Sequence, residues 1–587
     1  MRYVFADCVL DTQLYTLHRA GTSVRLRPKV FHVLHYLLEH RDHMVSKDEL
    51  CAQVWPGQFI SDATLAGCIT LARQAMGDRG RVPRLLESRR GYGYRFVGAV
   101  TVCPDPAPSP SPAPGAPETS GAVRSLAVLP FTALSTEGDD AYLGLGMAET
   151  VITKLSTLQQ LIIRPTSAVR QYSSPQQDPL AAGREQRVEA ILDGSLQRVG
   201  ERLRVTARLL QVRDGSVLWA WQQDAQPGGD LFAVQDAIAA AVTQALRLQL
   251  SSTERTWLAQ RHTDSTAAYQ AYIKGRYFWN QRTEEGLKHA LTYFQQAIET
   301  DPTYALAYAG LADAYTTLGY GSYLAPAETF PHAKQAALQA IACDAHLAEP
   351  HTSLAYVKLY YEWDWLGAER AFQHAIALNP HYATAHHWYS VYLTAMERPD
   401  AARRAIQRAH ELDPLSLIIN TDMGFELYYA RQYDQAIAHL RMTLEMHRQF
   451  PLAHLWLGRA YQQQGRYAEA LAAFHEASIG LGEWPVTIAA MGHVYGVAGQ
   501  TTQARHVLEQ LHQLAQHRYV TAYGVALVYA GLGEHEHVFA WLQKAIEERT
   551  HWLVWLKLDP RWDGLCADPR FVDLLRRVGL LSSAARS

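Results

Sequence analysis

The hydrophobic and polar positions of the first hundred residues change their period several times along the chain. Apolar and polar residues alternate in YVFADCVLD and TLHRAG, which predicts short strands at the start. The segment PKVFHVLHYLLEH then places apolar residues at helical spacing. Ser46 followed by Glu49 forms a capping box, which predicts that a second helix begins there.

A third helix is predicted over residues 63–76, and residues 87–97 follow it as the two strands of a hairpin. One face of this helix is apolar and should pack inward; it consists of Leu65, Ile69, Ala72 and Met76. Four other positions should face outward, namely Gly67, Thr70, Arg73 and Gln74. This order of elements predicts a small α+β domain over residues 1–102.

Residues 123–255 form a second region with a different pattern. RSLAVLPF is typical of a buried strand, and GLGMAETVITKLSTL is typical of a helix. Strands follow with breaks at Gly194, Gly200-Glu201 and Asp214-Gly215, and DLFAVQDAIAAAVTQAL closes the region as a helix. The order β-α-β-(α)-β-β-β-α predicts an α/β sandwich with a mixed sheet.

The remainder of the chain repeats itself every 34 residues. Small residues keep this period at the helix-crossing position, namely Ser390, Gly424, Gly458, Gly492 and Ala526. Small side chains let two antiparallel helices approach closely, and a 34-residue period is the tetratricopeptide pattern. We predict an all-α solenoid of about eight repeats over residues 263–552, followed by a capping helix and tail over residues 553–587.

A proline-rich stretch, PDPAPSPSPAPGAP, interrupts these patterns. A proline at almost every second position favours an extended tether, so we predict a linker over residues 103–122. The chain is therefore expected to be multidomain, with a winged α+β domain, an α/β module and a helical solenoid in that order.

Composition narrows the class of protein. Of the 587 residues, 48% are hydrophobic and 19% are charged, which is ordinary for globular domains. No apolar run is long enough for a membrane span, and the N-terminus lacks the apolar core of a signal peptide. The six cysteines form no CxxC pair, which argues against a disulfide scaffold and fits a reducing compartment. We predict a cytoplasmic protein without a membrane partner.

Positive charge is concentrated near the N-terminus. Residues 1–103 carry 14 Arg and Lys against 9 Asp and Glu, a net charge of +5. Seven of the arginines fall between residues 73 and 95. Clustered charge of one sign favours a polyanionic partner, although a solvated basic face gives the same pattern. Charge alone leaves both interpretations open.

The first hundred residues resemble the winged helix-turn-helix DNA-binding domain of the OmpR/PhoB type. Three segments keep that family's order and spacing: LRPKVFHVLHYLLEHRDHMVSKDEL, ISDATLAGCITLARQAMGD and GYGYRF. The resemblance implies that residues 63–76 are a recognition helix in the major groove of double-stranded DNA and that residues 89–95 are the wing. It implies DNA contacts, alone or as a homodimer, by Thr70, Arg73, Gln74, Arg89, Arg90, Tyr92 and Arg95.

The recognition helix departs from the family's pattern. Such helices usually carry several basic or polar side chains, whereas this one offers Arg73 as its single basic group. Gly67 and Cys68 also stand where larger polar groups are common. Contacts between arginines and phosphates should therefore supply most of the affinity.

The second region resembles the TolB N-terminal-like module of bacterial regulators in LAVLPF, ILDGSL, RLRVTARLLQ and DLFAVQDAI. Gly144 and Gly146 precede a helix, but Glu149 replaces the third glycine of a dinucleotide motif. We interpret these glycines as a tight strand-to-helix turn. No nucleophile–base pair or carboxylate dyad stands out, so we expect no catalytic residues and no cofactor, and a module that binds or dimerises.

The repeat array resembles tetratricopeptide proteins, whose first helices line a concave face. Counting from Gly424 as the crossing position, the inner face should present Phe425, Tyr428, Tyr429, Arg459, Gln462 and His493 to a protein or peptide partner. The closely spaced histidines, at 386–387 and at 535 and 537, point to different helix faces, so we expect no metal site.

These predictions favour a DNA-binding transcriptional regulator whose α/β module and repeat array receive a protein or small-molecule signal. The alternative is an interaction scaffold in which the winged helix docks protein rather than DNA. A third class, an enzyme in the α/β module, depends on one imperfect glycine turn. DNA capture by the N-terminal domain discriminates between the first two.

Overall fold

The structure is a computed structural model that describes residues 2–11, 16–19, 22–24, 26, 28–54, 62–78, 85–89, 92–103, 123–133, 141–173, 177–199, 202–225, 231–259 and 261–581. The chain divides into two units, Met1–Glu118 and Thr119–Ser587. Each unit has its own hydrophobic core.

The first unit is a winged α+β domain. Its antiparallel sheet has the order β4-β3-β2-β1-β7 and contains β1 Arg2–Phe5, β2 Cys8–Asp11, β3 Thr16–Arg19, β4 Thr22–Val24 and β7 Thr101–Cys103. Three helices follow the first four strands, namely α1 Pro28–Glu39, α2 Lys47–Val54 and α3 Asp62–Met76. The hairpin of β5 Leu86–Arg89 and β6 Gly93–Phe96 then precedes β7. This arrangement confirms the winged-helix prediction.

A mixed sheet forms the centre of the second unit's α/β module. The strands are β8 Ser125–Val128, β9 Thr132–Ala133, β10 Ile162–Ile163, β11 Ala190–Val199, β12 Arg202–Gln211 and β13 Val217–Ala225. Their order is β10-β8-β11-β12-β13, with β10, β8 and β11 parallel and the last three antiparallel. The helices are α4 Ala141–Leu155, α5 Thr166–Val169, α6 Pro179–Glu185, α7 Leu231–Ala245 and α8 Ser252–Ala259.

Two predictions about glycines in this module are wrong. β11 runs unbroken through Gly194 and pairs with β12 on both sides of it. The residue is a glycine because a Cβ there would lie 2.4 Å from the ring of Phe131. Gly144 and Gly146 lie inside α4 rather than in a turn before it. A Cβ at Gly146 would lie 2.4 Å from Ile273, so this glycine permits close packing of α4 on the first repeat.

Eight antiparallel helix pairs follow in the described residues. They are α9 Thr266–Asn280, α10 Glu284–Thr300, α11 Ala305–Tyr320, α12 Pro326–Cys343, α13 Ala348–Val357, α14 Trp365–Leu378, α15 Ala383–Ala395, α16 Pro399–Leu412, α17 Leu417–Tyr429, α18 Tyr433–Met446, α19 Pro451–Gln463, α20 Tyr467–Leu481, α21 Pro485–Val497, α22 Thr501–Leu514, α23 Ala522–Leu532 and α24 His535–Glu547. Small residues sit at the crossings as predicted: a Cβ added at Gly458 would lie 2.6 Å from Phe474.

The chain ends in a segment that turns back into the solenoid. Two short 3-10 helices, His551–Trp555 and Pro560–Leu565, precede the final helix α25 Pro569–Val578. We call residues 551–565 the C-terminal plug, because most of them are buried against the inner helices. The sequence predicted that residues 553–587 cap the open end of the solenoid. Part of that stretch also fills the inner face as the C-terminal plug.

The α/β module is joined to the solenoid at two places. The Arg276 guanidinium of α9 lies 2.7 Å from the Glu149 carboxylate of α4. On the other side, Arg164 donates to the carbonyl oxygens of Glu411 and Leu412 at 2.6 and 2.9 Å. Because the module contacts both the first repeat and the end of the fourth, it spans the open side of the solenoid.

Candidate nucleic-acid interface

Helix α3 has a buried face and an exposed face. The buried stripe is the predicted one: Leu65, Ile69, Ala72 and Met76. Thr70 and Gln74 are exposed on the opposite side. Gly67 lies beside them, and a Cβ added there would meet no described atom within 4 Å. The exposed face thus offers hydroxyl and amide groups and a shallow surface at Gly67.

Two more residues belong to this face and were missed by the sequence prediction. Thr64 and Leu71 are exposed, and together with Gly67 and Gln74 they repeat at three- and four-residue intervals. That spacing places them on one side of a helix. An exposed leucine on a groove-facing helix is suited to contact the methyl group of thymine. Helical spacing could have placed both residues on the exposed face, but the sequence prediction assigned neither of them to a face.

The Arg73 side chain makes hydrogen bonds within the winged domain. Its Nε and Nη2 atoms donate to the Leu86 carbonyl oxygen at 3.2 and 2.7 Å, and Nη2 also donates to the Ser88 hydroxyl at 2.9 Å. The guanidinium therefore ties the last turn of α3 to β5. Of the residues predicted to contact DNA, Arg73 is placed to hold the wing against the recognition helix.

The wing itself presents two long side chains. The Arg89 side chain is 66% exposed and lies 2.9 Å from the Glu87 carboxylate. Tyr92 is 75% exposed at the turn. Arg95 points the other way and donates to the carbonyl oxygens of Arg41 and Asp42 at 3.1 and 3.2 Å. Arg90, which was also predicted to contact DNA, lies outside the described residues.

Several backbone contacts fix the hairpin in place. Val45 and Tyr94 exchange two backbone hydrogen bonds of 2.9 Å each. Gly93 adopts a φ of +128°, and a Cβ there would lie 2.0 Å from the Val45 carbonyl oxygen. The buried Asp78 carboxylate accepts from the backbone N–H groups at the start of β5 at 3.0 and 3.2 Å. The wing is held by these bonds at both strands.

This geometry has the chemistry of a groove-reading surface. Neutral hydroxyl and amide groups such as those of Thr70 and Gln74 can exchange hydrogen bonds with base edges. An exposed arginine on a rigid hairpin, here Arg89, can pair with a phosphate, which gives affinity without sequence information. The groups suited to base edges lie on α3, and the exposed arginine suited to a phosphate lies on the wing.

The predicted partner-binding residues of the solenoid lie elsewhere and are not accessible. All six are buried by the chain itself: Phe425, Tyr428, Tyr429, Arg459, Gln462 and His493. The prediction that they line an open groove is wrong, because the C-terminal plug occupies the inner face at these repeats. Trp555 of the plug stacks on Tyr429 with ring centroids 4.7 Å apart and meets Phe425 edge-on at 4.9 Å.

Buried charges hold the plug in place. The Arg459 guanidinium lies 4.4 Å from the Trp456 ring centroid and 4.7 Å from that of Trp552. Asp559 pairs with Arg561 at 2.8 Å and accepts a hydrogen bond of 3.0 Å from Tyr523. Burial alone would raise the pKa of Asp559, but the Arg561 guanidinium lowers it to about 2. The pair is therefore ionised at neutral pH.

Comparison with known proteins finds family matches in the winged domain and in the repeat array. The family described as "Transcriptional regulatory protein, C terminal" matches residues 21–96. A tetratricopeptide repeat family matches residues 421–480.

Within the described residues, no group of three or more His, Cys, Asp or Glu side chains could hold a metal ion. The helices in the described ranges include none long and apolar enough to cross a membrane.

Three relatives indicate what the chain is similar to. It is 23% identical to the Transcriptional regulator HilA of Salmonella typhimurium, over 74% of this chain and 75% of that protein. It is 30% identical to a Rhizobium meliloti protein named as a candidate adenylate cyclase, over 32% of each chain. It is 27% identical to the Transcriptional regulatory protein CusR of Escherichia coli, over 16% of this chain and 41% of that protein. The match thus spans about a third of the cyclase-named relative.

Proposed function

Because the N-terminal domain is an OmpR/PhoB-type winged helix and the C-terminal half carries tetratricopeptide repeats, we propose that the chain is a DNA-binding transcriptional regulator. Its winged helix binds double-stranded promoter DNA. The observation that supports this most directly is the exposed face of α3 beside a wing that presents Arg89 and Tyr92. Two relatives with matching regions are named as transcriptional regulators.

The contacts within the winged domain suggest which part of the DNA each element binds. Thr70 and Gln74 of α3 enter the major groove, while Arg89 and Tyr92 of the wing contact the neighbouring backbone. Arg73 acts as a positioning residue through its bonds to β5. Because α3 contributes little charge, much of the affinity comes from phosphate contacts and falls with salt.

The second unit receives the signal, as a small molecule or a protein. Its α/β module, with the features of a TolB N-terminal-like module, joins both ends of the first four repeats. A protein partner of the array uses surfaces other than the filled inner face around Tyr429. The regulator works in the cytoplasm, binds DNA alone or as a homodimer, and has no catalytic activity. An adenylate cyclase assay tests the last point, and cyclic AMP formation would contradict it.

The salt dependence of DNA binding by the full-length protein tests the proposal. We expect Arg89→Ala to weaken binding to all duplexes by a similar factor and to reduce the slope of log K against log salt by about 1. The matched control is Arg213→Ala, whose side chain is 82% exposed in the other unit and should leave the slope unchanged. An unchanged slope for Arg89→Ala would exclude its phosphate contact.

A further inference from the structure

The second unit contains a large chamber. Its volume is about 930 Å³, and it lies between the first helices of repeats one to six and the α/β module. On the module side, Ser167 donates to the Asp413 carboxylate at 2.8 Å and Arg170 donates to the Asn280 carbonyl oxygen. These contacts place α5 across the chamber. A volume of several hundred Å³ is that of a small-molecule site.

The lining of the chamber carries an excess of negative charge. Seven carboxylates and three guanidinium groups line it. Arg276 is already shared between Glu149 at 2.7 Å and Asp313 at 3.3 Å. Burial raises the pKa of Glu349, which favours its neutral form, so the negative charge of the lining comes from the other carboxylates. A space lined mainly by one sign of charge concentrates ligands of the opposite sign.

Four aromatic rings form a cluster in the same lining, which we call the aromatic cage. It consists of Tyr320 and Trp388, which are partly exposed, and of Tyr356 and Tyr360, which are buried. The His551 ring of the C-terminal plug also packs on it, with its centroid 5.3 Å from that of Tyr320. The ring centroids of Tyr356 lie 4.4 Å from those of Tyr360 and Trp388 and 5.7 Å from that of Tyr320. The faces of such rings carry negative potential and attract cations, most strongly where water is excluded.

A carboxylate stands beside the aromatic cage. Asp422 accepts a hydrogen bond of 2.6 Å from His387, the residue that precedes Trp388 on α15. Burial, followed by the charge of Asp422, raises the pKa of Tyr320. Asp422 and the partly exposed rings of the cage line the same chamber. The carboxylate thus acts on the cage from close by, and the two features favour the same class of ligand.

From this arrangement we infer that the chamber binds a small organic cation, an amine or ammonium compound with an apolar body. Its charged nitrogen lies at the aromatic cage next to Asp422, and its apolar part lies along the remaining tyrosines and tryptophans. An anion would enter against the excess of carboxylates. The inference deepens the proposed function, because it names the chemical class of the signal that the second unit receives.

A matched series of probes tests the charge requirement on the full-length protein. Phenethylamine, 2-phenylethanol and phenylacetate share a phenylethyl or benzyl body and differ in charge. We expect calorimetry to give a Kd for the amine that is roughly tenfold lower or better than for the other two, and thermal melting to show stabilisation by the amine. Equal or tighter binding of phenylacetate, or no binding of the amine at 10 mM, would overturn the inference.

Substitutions locate the site. Asp422→Asn and Trp388→Leu should each weaken amine binding about tenfold, because one removes the charge and the other a ring face. Tyr356→Phe keeps the ring and should bind nearly as well as the parent, which separates the ring face from the hydroxyl. Glu509→Gln, at an exposed carboxylate, is the control. Parent-like binding by both Asp422→Asn and Trp388→Leu would exclude the cage.

Folding and DNA binding are followed on the same preparations. If Asp422→Asn melts early because His387 loses its partner, Trp388→Leu and Tyr356→Phe still decide the outcome. Binding of DNA without binding of the amine would overturn this inference and leave the proposed function intact. Binding of the amine by a protein that never captures DNA would overturn the proposed function alone.

Discussion

At the scale of single residues, the wing depends on Gly93. This residue has a φ of +128°, and a Cβ would approach the Val45 carbonyl oxygen to 2.0 Å. We expect Gly93→Ala to lower the stability of the first unit by about 2 kcal/mol or more, because both the backbone strain and the clash must be relieved. Chemical denaturation followed by DNA titration checks this. Parent-like stability would show that Val45 and β6 are not joined as described.

Gly67 provides the opposite case on α3. A Cβ there meets no described atom within 4 Å, and glycine in a helix interior costs about 1 kcal/mol relative to alanine. Gly67→Ala should therefore stabilise the first unit by about 0.5–1 kcal/mol. If the DNA groove approaches this surface closely, the same variant should bind its site more weakly. Denaturation and DNA titration of one preparation measure both, and lower stability would contradict the helix assignment.

The sequence predicted the faces of α3 but not all uses of its side chains. Helical spacing alone places Ile69 inside and Gln74 outside. The bonds of Arg73 to β5 could not be predicted, because they depend on where the hairpin lies relative to the helix. The charge of an arginine is equally compatible with a contact to DNA and with a hydrogen bond inside the domain. The same holds for Arg95.

At the scale of elements, the C-terminal plug should respond to pH through His551. This side chain is 0% exposed, and its two ring nitrogens have no partner in the part of the chain that the structure describes. Burial, with Arg459 nearby, lowers its pKa from 6.5 to about 3. Its contribution to stability is complete above pH 6.5 and is lost as the pH falls toward 3, since the unfolded chain then binds the proton.

His551→Phe isolates this effect. Relative to the parent, the variant should lose less unfolding free energy on acidification, by about 2 kcal/mol between pH 6.5 and 5. Comparison with the parent is needed because Glu426, whose pKa burial raises to about 8, has the opposite slope. His506→Phe, at an exposed position, is the control. Identical pH profiles for His551→Phe and the parent would exclude the buried neutral imidazole.

The elements themselves were largely predictable from local patterns. The 34-residue period predicted the repeats. The apolar segments and their breaks predicted the order of strands and helices along the α/β module. The C-terminal plug was not predicted, because nothing local in WLKLDPRWDGL distinguishes a cap from a segment that fills a groove. The prediction at Gly194 was wrong for a related reason, because the residue that leaves no room for a side chain there is Phe131, which lies between β8 and β9.

For the molecule as a whole, the proposed function assigns DNA binding to the first unit and signal binding to the second. The first carries a surface suited to DNA, and the second closes a chamber between its module and its repeats. The filled inner face around Tyr429 and the chamber lined by Tyr320 and Trp388 are parts of one solenoid with different contents. Sequence patterns could not separate them, because both present aromatic residues at the same repeat positions.

Selection from random duplexes by the full-length protein tests whether the first unit recognises a DNA sequence. Sequencing of the bound fraction should reveal a shared motif whose enrichment is lost in Gln74→Ala, while Arg89→Ala lowers total capture and leaves the motif unchanged. Capture without any enriched motif, or no capture at low salt, would contradict the account.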